Sequence, residues 1–232
     1  MTDVKYRALA TDYDGTLAHD GRVEPATLRA LERARARGLR LVLVTGRELT
    51  DLSKTFPQTA LFDRVVAENG AVLLTPSTSS LNVLGPPAPP SLIEWLTRCN
   101  VPMWVGHSAV ATVEPYDHHM LAAIQELGLE WHIIFNKGSA LALPAGVTKA
   151  TGLALALEDL QIPADQTVGV GDAENDQALL RACGLAAAVA NALPSVKECA
   201  DLVTVGESGE GVVELIDRIC AGELDEMPER HK

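Results

Sequence analysis

The sequence predicts an α/β fold in which a doubly wound, mostly parallel Rossmann-like sheet is interrupted by a small inserted α+β unit. Apolar, β-rich runs alternate with helical patterns before about residue 75 and again after residue 145. Between these halves, clusters of Pro, Ser and Gly break the alternation. Aromatic residues make up only 4% of the chain, so Leu, Val and Ala must fill the core, which suits helices packed on a parallel sheet.

The first half of the chain predicts three strands and one helix. Residues 6–10 form the first apolar run. A helix is expected from Pro25, a favoured first helical residue, to Gly38, a favoured C-terminal cap. Residues 39–44 and 64–67 are further β-rich runs, and they complete a β-α-β pattern that is typical of parallel sheets.

The middle of the chain predicts a linker followed by a small α+β unit. Two clusters rich in Ser, Thr, Pro and Gly over residues 75–90 indicate a linker or a long loop. The expected elements after it are a helix at 91–98, strands at 103–105 and 110–114, a helix at 118–127, and strands at 130–135 and 139–143. Gly138 fits the left-handed position of the last hairpin, and Lys137 beside it is expected to be solvated. We therefore expect a core of residues 1–76 and 145–232 around an inserted domain of residues 77–144.

The alternation of strands and helices returns after residue 146. Thr148 can cap a helix that runs to about residue 160, and residues 167–170 form a strand. The remaining expected elements are a helix, a strand at 185–190, a short helix, a strand at 202–205 and a helix at 211–220. The charged tail from residue 223 is expected to fray.

Polar side chains follow several of the predicted parallel strands. They are Asp12 and Asp14 after the first strand, Thr45 after the second, and Asp172, Asn175 and Asp176 after the strand that follows the insertion. The carboxyl ends of parallel strands meet at one edge of a sheet, so these side chains should converge there. Lys149 stands at the start of a helix, where backbone N–H groups favour an anion. Carboxylates suit Mg²⁺, and Lys149 with the helix start suits a phosphate group.

Four segments of the chain resemble, in order, the four motifs of the haloacid dehalogenase-like hydrolase superfamily. They are Asp12-Tyr13-Asp14-Gly15-Thr16, Thr45-Gly46-Arg47, Lys149, and Gly171-Asp172-Ala173-Glu174-Asn175-Asp176. Asp14 resembles the second aspartate that marks the phosphatase branch. The insertion between Thr45 and Lys149, together with Glu68-Asn69-Gly70-Ala71, resembles the branch whose cap domain follows the third core strand. That branch includes sugar phosphatases, archaeal phosphoglycolate phosphatase and eukaryotic-type phosphomannomutase.

This resemblance implies a Mg²⁺-dependent phosphatase that hydrolyses a small phosphorylated metabolite, such as a sugar phosphate or phosphoglycolate, through an aspartyl-phosphate. Asp12 would be the nucleophile and Asp14 the general acid and base, with Thr45 and Lys149 as further catalytic groups. Phosphate contacts would come from Gly15, Thr16, Gly46, Arg47 and Asn175. The Mg²⁺ ligand set would be drawn from Asp12, the backbone carbonyl of Asp14, Asp172 and Asp176.

Composition excludes several other classes of protein. The net charge of −12 argues against nucleic-acid binding, and the only basic run, from Arg29 to Arg40, is expected to be a solvated helix face and its end. The four cysteines are widely spaced and are expected to be free thiols. The sequence shows neither a signal peptide nor a membrane span, so a cytoplasmic protein is expected. The oligomeric state is not predicted.

Three alternatives stay open at the level of sequence. A phosphomutase would use the same aspartyl-phosphate but return the phosphate to its substrate. A response-regulator receiver would carry an acid pair on its first strand, but its acceptor aspartate would lie on a later strand and it would have no large insertion. A non-catalytic sugar-phosphate binder would not need the complete set of motif residues that this chain carries.

Overall fold

The computed structural model describes residues 5–136 and 138–227. The expectations for Lys137 and for the tail beyond residue 227 therefore lie outside the described residues. Within them, the chain forms a large mixed sheet covered by helices and a separate, small antiparallel sheet. The predicted α/β class with an inserted α+β unit is confirmed.

The large sheet has eight strands. In chain order they are β1 (Ala8–Thr11), β2 (Arg40–Val44), β3 (Arg64–Ala67), β4 (Val72–Thr75), β5 (Ser80–Val83), β10 (Thr167–Gly171), β11 (Leu185–Ala188) and β12 (Leu202–Val203). The numbers in between belong to the four strands of the small sheet, β6 (Trp104–Val105), β7 (Val110–Val113), β8 (Trp131–Asn136) and β9 (Ser139–Pro144). The spatial order of the large sheet is β12-β11-β10-β1-β2-β3-β4-β5. Strands β12 to β3 are parallel, and the edge strands β4 and β5 are antiparallel.

In the described part of the chain, eight α-helices pack on these sheets. They are α1 (Pro25–Ala36), α2 (Leu49–Thr55), α3 (Pro90–Arg98), α4 (Asp117–Glu126), α5 (Lys149–Leu160), α6 (Gln177–Ala182), α7 (Pro194–Lys197) and α8 (Ser208–Ala221). Helix α1 begins at Pro25, as predicted. Helix α5 begins with a capping box, in which the side chain of Thr148 accepts a hydrogen bond from the backbone of Thr151 and the side chain of Thr151 accepts one in return.

The edge of the large sheet differs from the prediction. Residues 75–90 were expected to be a linker or a long loop, but they contain β5, which forms an antiparallel hairpin with β4. β5 has only four residues, all exposed, so its polar–apolar alternation is too short to separate it from the turn-forming residues before it. Residue 77 lies in the turn of this hairpin. The division into domains remains a proposal, and the pairing favours a start of the inserted unit after Val83.

The inserted unit has its own small core. Its antiparallel sheet has the order β6-β7-β9-β8, and helices α3 and α4 pack against it. Leu92, Leu96, Val110 and Met120 are fully buried between them. We refer to residues 84–144 as the cap.

The large sheet separates two further apolar clusters, one on each face. No helix in the described part of the chain combines the length and the apolar character needed to cross a bilayer. All four cysteines are free thiols, as expected.

Candidate active site

Two central strands deliver the first carboxylates to one edge of the sheet. Strand β1 pairs in parallel with β10, and Asp12 and Asp172 each follow the last residue of their strand. Both side chains are buried. Asp12 and Asp172 are 160 positions apart in the sequence, and the pairing of β1 with β10 brings them together, as expected for the carboxyl edge of a parallel sheet.

Lys149 joins this pair from the start of helix α5. Its Nζ donates hydrogen bonds to Oδ1 of Asp12 at 2.5 Å and to Oδ1 of Asp176 at 2.6 Å. The other oxygen of Asp176 accepts from the backbone N–H groups of Asp172 and Ala173 at 2.9 and 3.0 Å. Asp176 thus fixes both the ammonium group and the turn that carries Asp172.

The three carboxylates have oxygens within 4.8 Å of one another, and all three side chains are buried. They outnumber the one ammonium group by two charges. Burial, with Asp176 nearby, raises the pKa of Asp12 from 3.8 to about 8 although Lys149 opposes the shift. The neighbouring carboxylates raise the pKa of Lys149 and keep it charged despite its burial. Buried, hard oxygen donors with excess negative charge fit a divalent cation such as Mg²⁺.

Three small residues support this cluster. Oγ1 of Thr16 donates to Oδ1 of Asp172 at 2.7 Å and orients that carboxylate. A Cβ atom at Gly171 would lie 2.5–2.8 Å from side-chain atoms of Asp176, so only glycine fits there. Gly15 has a φ of 89°, which lets the chain turn immediately after Asp14.

Asp14 points to a different partner from Asp12. Arg47 donates from Nε to Oδ2 and from Nη2 to Oδ1 of Asp14, each at 2.7 Å, and from Nη1 to Asp51 at 2.6 Å. These hydrogen bonds, led by those to Asp14, raise the pKa of Arg47 further above its already high value. Arg47 was predicted as a phosphate ligand. In this structure its guanidinium group orients Asp14.

The remaining predicted residues surround this centre. Thr45 is fully buried after β2, and its Oγ1 accepts from the backbone N–H of Arg47 at 3.1 Å. Gly46 lines the cleft beside it. Asn175 donates from Nδ2 to Oδ1 of Asn69 at 3.3 Å.

The turn Glu68–Gly70 after β3 contains site residues that were missed in the sequence-based prediction. Its three residues have φ values of 49°, 54° and 113°. Such a run is strained for the two non-glycine residues and is typical of functional sites. Nδ2 of Asn69 and Oδ1 of Asn175 are buried and have no hydrogen-bond partner among the described residues. The only available signal was the resemblance of Glu68-Asn69-Gly70-Ala71 to a branch of the superfamily.

A cleft of about 510 Å³ lies between the core and the cap. Its core wall includes Asp12, Asp14, Arg47, Glu68, Asn69 and Asn175, and its cap wall includes Trp104, Ala111, Ile134, Asn136, Ser139 and Leu141. Trp104 is 54% exposed, although large apolar side chains are usually buried. The cap therefore places a largely apolar wall opposite the carboxylate cluster.

Comparisons with known proteins agree with this geometry. A family model described as haloacid dehalogenase-like hydrolase matches residues 9–119 and 122–216. The chain is 32% identical over 227 residues to phosphoglycolate phosphatase 2 of Saccharolobus solfataricus, covering 92% of each chain. It is 31% identical to phosphoglycolate phosphatase of Methanothermobacter thermautotrophicus, covering 91% of this chain and 98% of the relative. A solved haloacid dehalogenase-like hydrolase from Bacteroides thetaiotaomicron superposes with a TM-score of 0.78 at 19% identity, covering 92% and 99% of the two chains.

Proposed function

The chain belongs to the haloacid dehalogenase-like hydrolase family, and from that premise we propose that it is a Mg²⁺-dependent phosphatase of small phosphorylated metabolites. One observation carries the proposal most strongly. A buried lysine, Lys149, bonds to a buried carboxylate, Asp12, at the open edge of a sheet and beside a cleft. This arrangement provides a nucleophile, a cation for the phosphate oxygens and room for the rest of the substrate.

In the proposed reaction, an oxygen of Asp12 attacks phosphorus from the side opposite the leaving group. A bond forms between Asp12 and phosphorus while the bond from phosphorus to the substrate oxygen breaks. Asp14 gives a proton to the leaving oxygen, and then accepts one from the water that attacks the aspartyl-phosphate. Inorganic phosphate leaves, and both aspartates return to their initial state.

In this proposal Arg47 moves before the proton transfer. Both oxygens of Asp14 accept from Arg47 in the structure, and this bidentate pair competes with the transfer of a proton to the leaving group. An incoming phosphate dianion competes for the same guanidinium donors. We propose that substrate binding draws Arg47 away and frees Asp14.

Asp12, Asp172 and Asp176 would hold the metal ion in this proposal, with Asp14 contributing its backbone carbonyl. When bound, Mg²⁺ would neutralise and orient the phosphate group. Thr16 keeps Asp172 aimed at the site, and Lys149 provides the second positive charge.

The substrate is proposed from the cleft and from the relatives. The cap wall leaves space for a compact leaving group, and the two relatives described above are phosphoglycolate phosphatases. Phosphoglycolate is therefore the first substrate to test, followed by sugar phosphates. No observation on the described residues favours a phosphomutase.

The nucleophile provides the decisive experiment. Asp12→Asn should lower phosphate release from both p-nitrophenyl phosphate and phosphoglycolate by on the order of a thousandfold or more, because an amide is a very poor nucleophile. Phosphate release is measured in Mg²⁺ buffer, with circular dichroism to confirm folding. Asp20→Asn is the matched control: Asp20 is exposed and has a φ of 46°, which Asn tolerates, so activity should stay unchanged. Wild-type turnover by Asp12→Asn would rule out the covalent mechanism.

A further inference from the structure

We propose that Glu68 is a positioning residue that docks the cap onto the catalytic edge of the core and thereby sets the width of the substrate cleft. We call residues 106–108, between β6 and β7 of the cap, the docking loop. The role of the cleft rests on the function proposed above, whereas the docking contact itself does not.

The carboxylate of Glu68 makes three contacts with the docking loop. Oε1 accepts from the backbone N–H of His107 at 3.0 Å and lies 2.8 Å from its Nδ1, and Oε2 accepts from the backbone N–H of Ser108 at 3.1 Å. Glu68 is only 1% exposed. A buried carboxylate is costly unless its oxygens are bonded, and the contacts with the docking loop supply these bonds.

The cap side of the contact has little freedom. A Cβ atom at Gly106 would lie 2.4–2.8 Å from the carboxylate atoms of Glu68, so the loop approaches as closely as only glycine allows. Oγ of Ser108 also donates to the backbone carbonyl of Gly85 at 2.7 Å, near the point where the chain enters the cap. The docking loop is therefore tied both to the core and to the entry segment of the cap.

The core side of the contact is part of the catalytic edge. The backbone N–H of Glu68 donates to the carbonyl of Arg47 at 3.0 Å, and that of Asn69 donates to the carbonyl of Thr45 at 2.9 Å. Asn69 also accepts from Asn175. The turn that holds the cap thus also holds the segment that carries Thr45 and Arg47.

The position of the docking loop determines the cap wall of the cleft. Trp104 precedes the loop and Ala109 and Ala111 follow it, and all three line the cleft opposite Asp12. Two short strands, β6 and β7, connect these residues to the loop, so a shift of the loop moves them together. Both carboxylate oxygens of Glu68 are bonded to the docking loop, so its effect on the substrate is expected to run through the position of the cap.

The test uses one variant from each side of the contact. Glu68→Gln replaces an acceptor oxygen with an amide donor that faces backbone N–H groups. Gly106→Ala pushes a methyl group against the same carboxylate from the cap. Glu32→Gln, on the exposed face of α1, is the matched control. If Glu68→Gln fails to fold, as judged by circular dichroism, Gly106→Ala by itself tests the contact between Glu68 and the docking loop.

Two readouts separate positioning from a purely structural role. In hydrogen–deuterium exchange, both variants should exchange the amides of residues 104–110 about tenfold faster, while the amides of β1 and β10 stay protected. With p-nitrophenyl phosphate, KM should rise about tenfold and kcat should stay within about threefold of wild type, because the cap wall and not the nucleophile is displaced.

Other results would overturn the proposal. Unchanged exchange of the docking loop in both variants would show that Glu68 does not hold it. Faster exchange with unchanged KM would show that docking does not set the cleft. A loss confined to kcat would place the effect of Glu68 in the core. A wild-type protein without phosphatase activity would reject the proposed function instead, and the exchange experiment would still decide the docking contact.

Discussion

The carboxylate cluster around Lys149 holds more negative charge than one ammonium group can balance. Asp12, Asp172 and Asp176 are buried together, and without a metal ion the pKa of Asp12 rises to about 8. We therefore expect the metal-free protein to keep a proton on this cluster at pH 7. A divalent cation needs the ionised carboxylate, so binding the cation has to expel that proton.

We expect Mg²⁺ binding at pH 7 to release close to one proton. Isothermal titration calorimetry in two buffers of different ionisation enthalpy measures this number. The release should disappear above about pH 9, where the carboxyl group is already ionised. Asp12→Asn removes the titrating group and should bind Mg²⁺ without releasing the proton. Equal heats in both buffers at pH 7 would contradict the expectation.

The same pKa shift gives the sign of the pH dependence of stability. Asp12 has a folded-state pKa above its unfolded value of 3.8, so the folded metal-free protein binds the proton more tightly. The contribution of the Asp12 proton to the folding stability of the metal-free protein is therefore full below about pH 4 and is lost as the pH rises towards 8. Saturating Mg²⁺ replaces the proton and should remove this dependence.

At the level of residues, the sequence predicted which residues form the site better than it predicted the contacts between them. Asp12, Asp14, Lys149 and Asp172 could be singled out because each ends a predicted strand or starts a predicted helix, and the structure brings them to one edge. The bond from Thr16 to Asp172 spans 156 positions and depends on strand register, which no local pattern reveals. Arg47 was predicted as a phosphate contact, because its pairing with Asp14 joins residues 33 positions apart and has no local signal either.

Helix α5 positions Lys149 through one close packing contact. A Cβ atom at Gly152 would lie 2.5 Å from Cγ1 of Val66 and 2.7 Å from Cα of Gly70, so the helix packs directly against β3 and the turn after it. Lys149 lies one turn earlier on the same helix. The distance from α5 to the sheet therefore decides where the ammonium group sits.

Gly152→Ala should consequently destabilise the protein, although alanine favours helices. Helix propensity alone would add up to about 1 kcal/mol of stability, but the steric clash with backbone atoms costs about 1–3 kcal/mol and cannot relax without moving the helix. We also expect kcat to fall, since Lys149 moves with α5. Urea unfolding and steady-state kinetics measure the two effects.

The control for this prediction lies on the exposed face of the same helix. Ala154→Gly should cost about 0.5–1 kcal/mol through propensity alone and leave kcat unchanged. If Gly152→Ala proved more stable than wild type, the close packing of α5 would not limit its position.

Elements with strong local signals were predicted well, and edge elements were not. The capped helix that begins at Lys149 and the buried strand β2 follow directly from capping residues and apolar runs. The β4–β5 hairpin was missed because β5 is short, exposed and preceded by turn-forming residues. Its pairing depends on β4, which is itself held by β3, so only the assembled sheet defines it.

At the scale of the whole molecule, the cap and the core have separate apolar centres. The cap core lies between α3, α4 and the small sheet. The apolar cluster shared with the large domain has six buried residues among those that the structure describes, and three of them, Ala67, Ala71 and Ala109, are alanines. A domain with a small apolar core and a modest interface to its neighbour is less stable than a domain with a large core. The cap should therefore open before the core unfolds.

The distribution of tryptophan allows this to be measured directly. Trp95, Trp104 and Trp131 are the only tryptophans of the chain, and all three lie in the cap. We expect the urea midpoint from tryptophan fluorescence to be lower than the midpoint from far-ultraviolet circular dichroism, which is dominated by the core helices. Coincident midpoints would mean that the two units unfold as one.

The position of β1 in the sheet also has a consequence for the synthesis of the chain. Strand β1 lies between β2 and β10, yet β10 is translated only after the whole cap. At ordinary rates of translation, on the order of ten seconds pass while one edge of this strand, which is fully buried in the finished protein, has no partner. The cap contacts are local and the pairings among β1 to β5 precede the cap, so both can form during that interval, whereas the pairing of β1 with β10 has to wait. An unpaired strand edge can pair with strands of other chains. We therefore expect this chain to be most exposed to aggregation and to chaperone binding while it is still being synthesised on a crowded polysome, and less so as the finished protein.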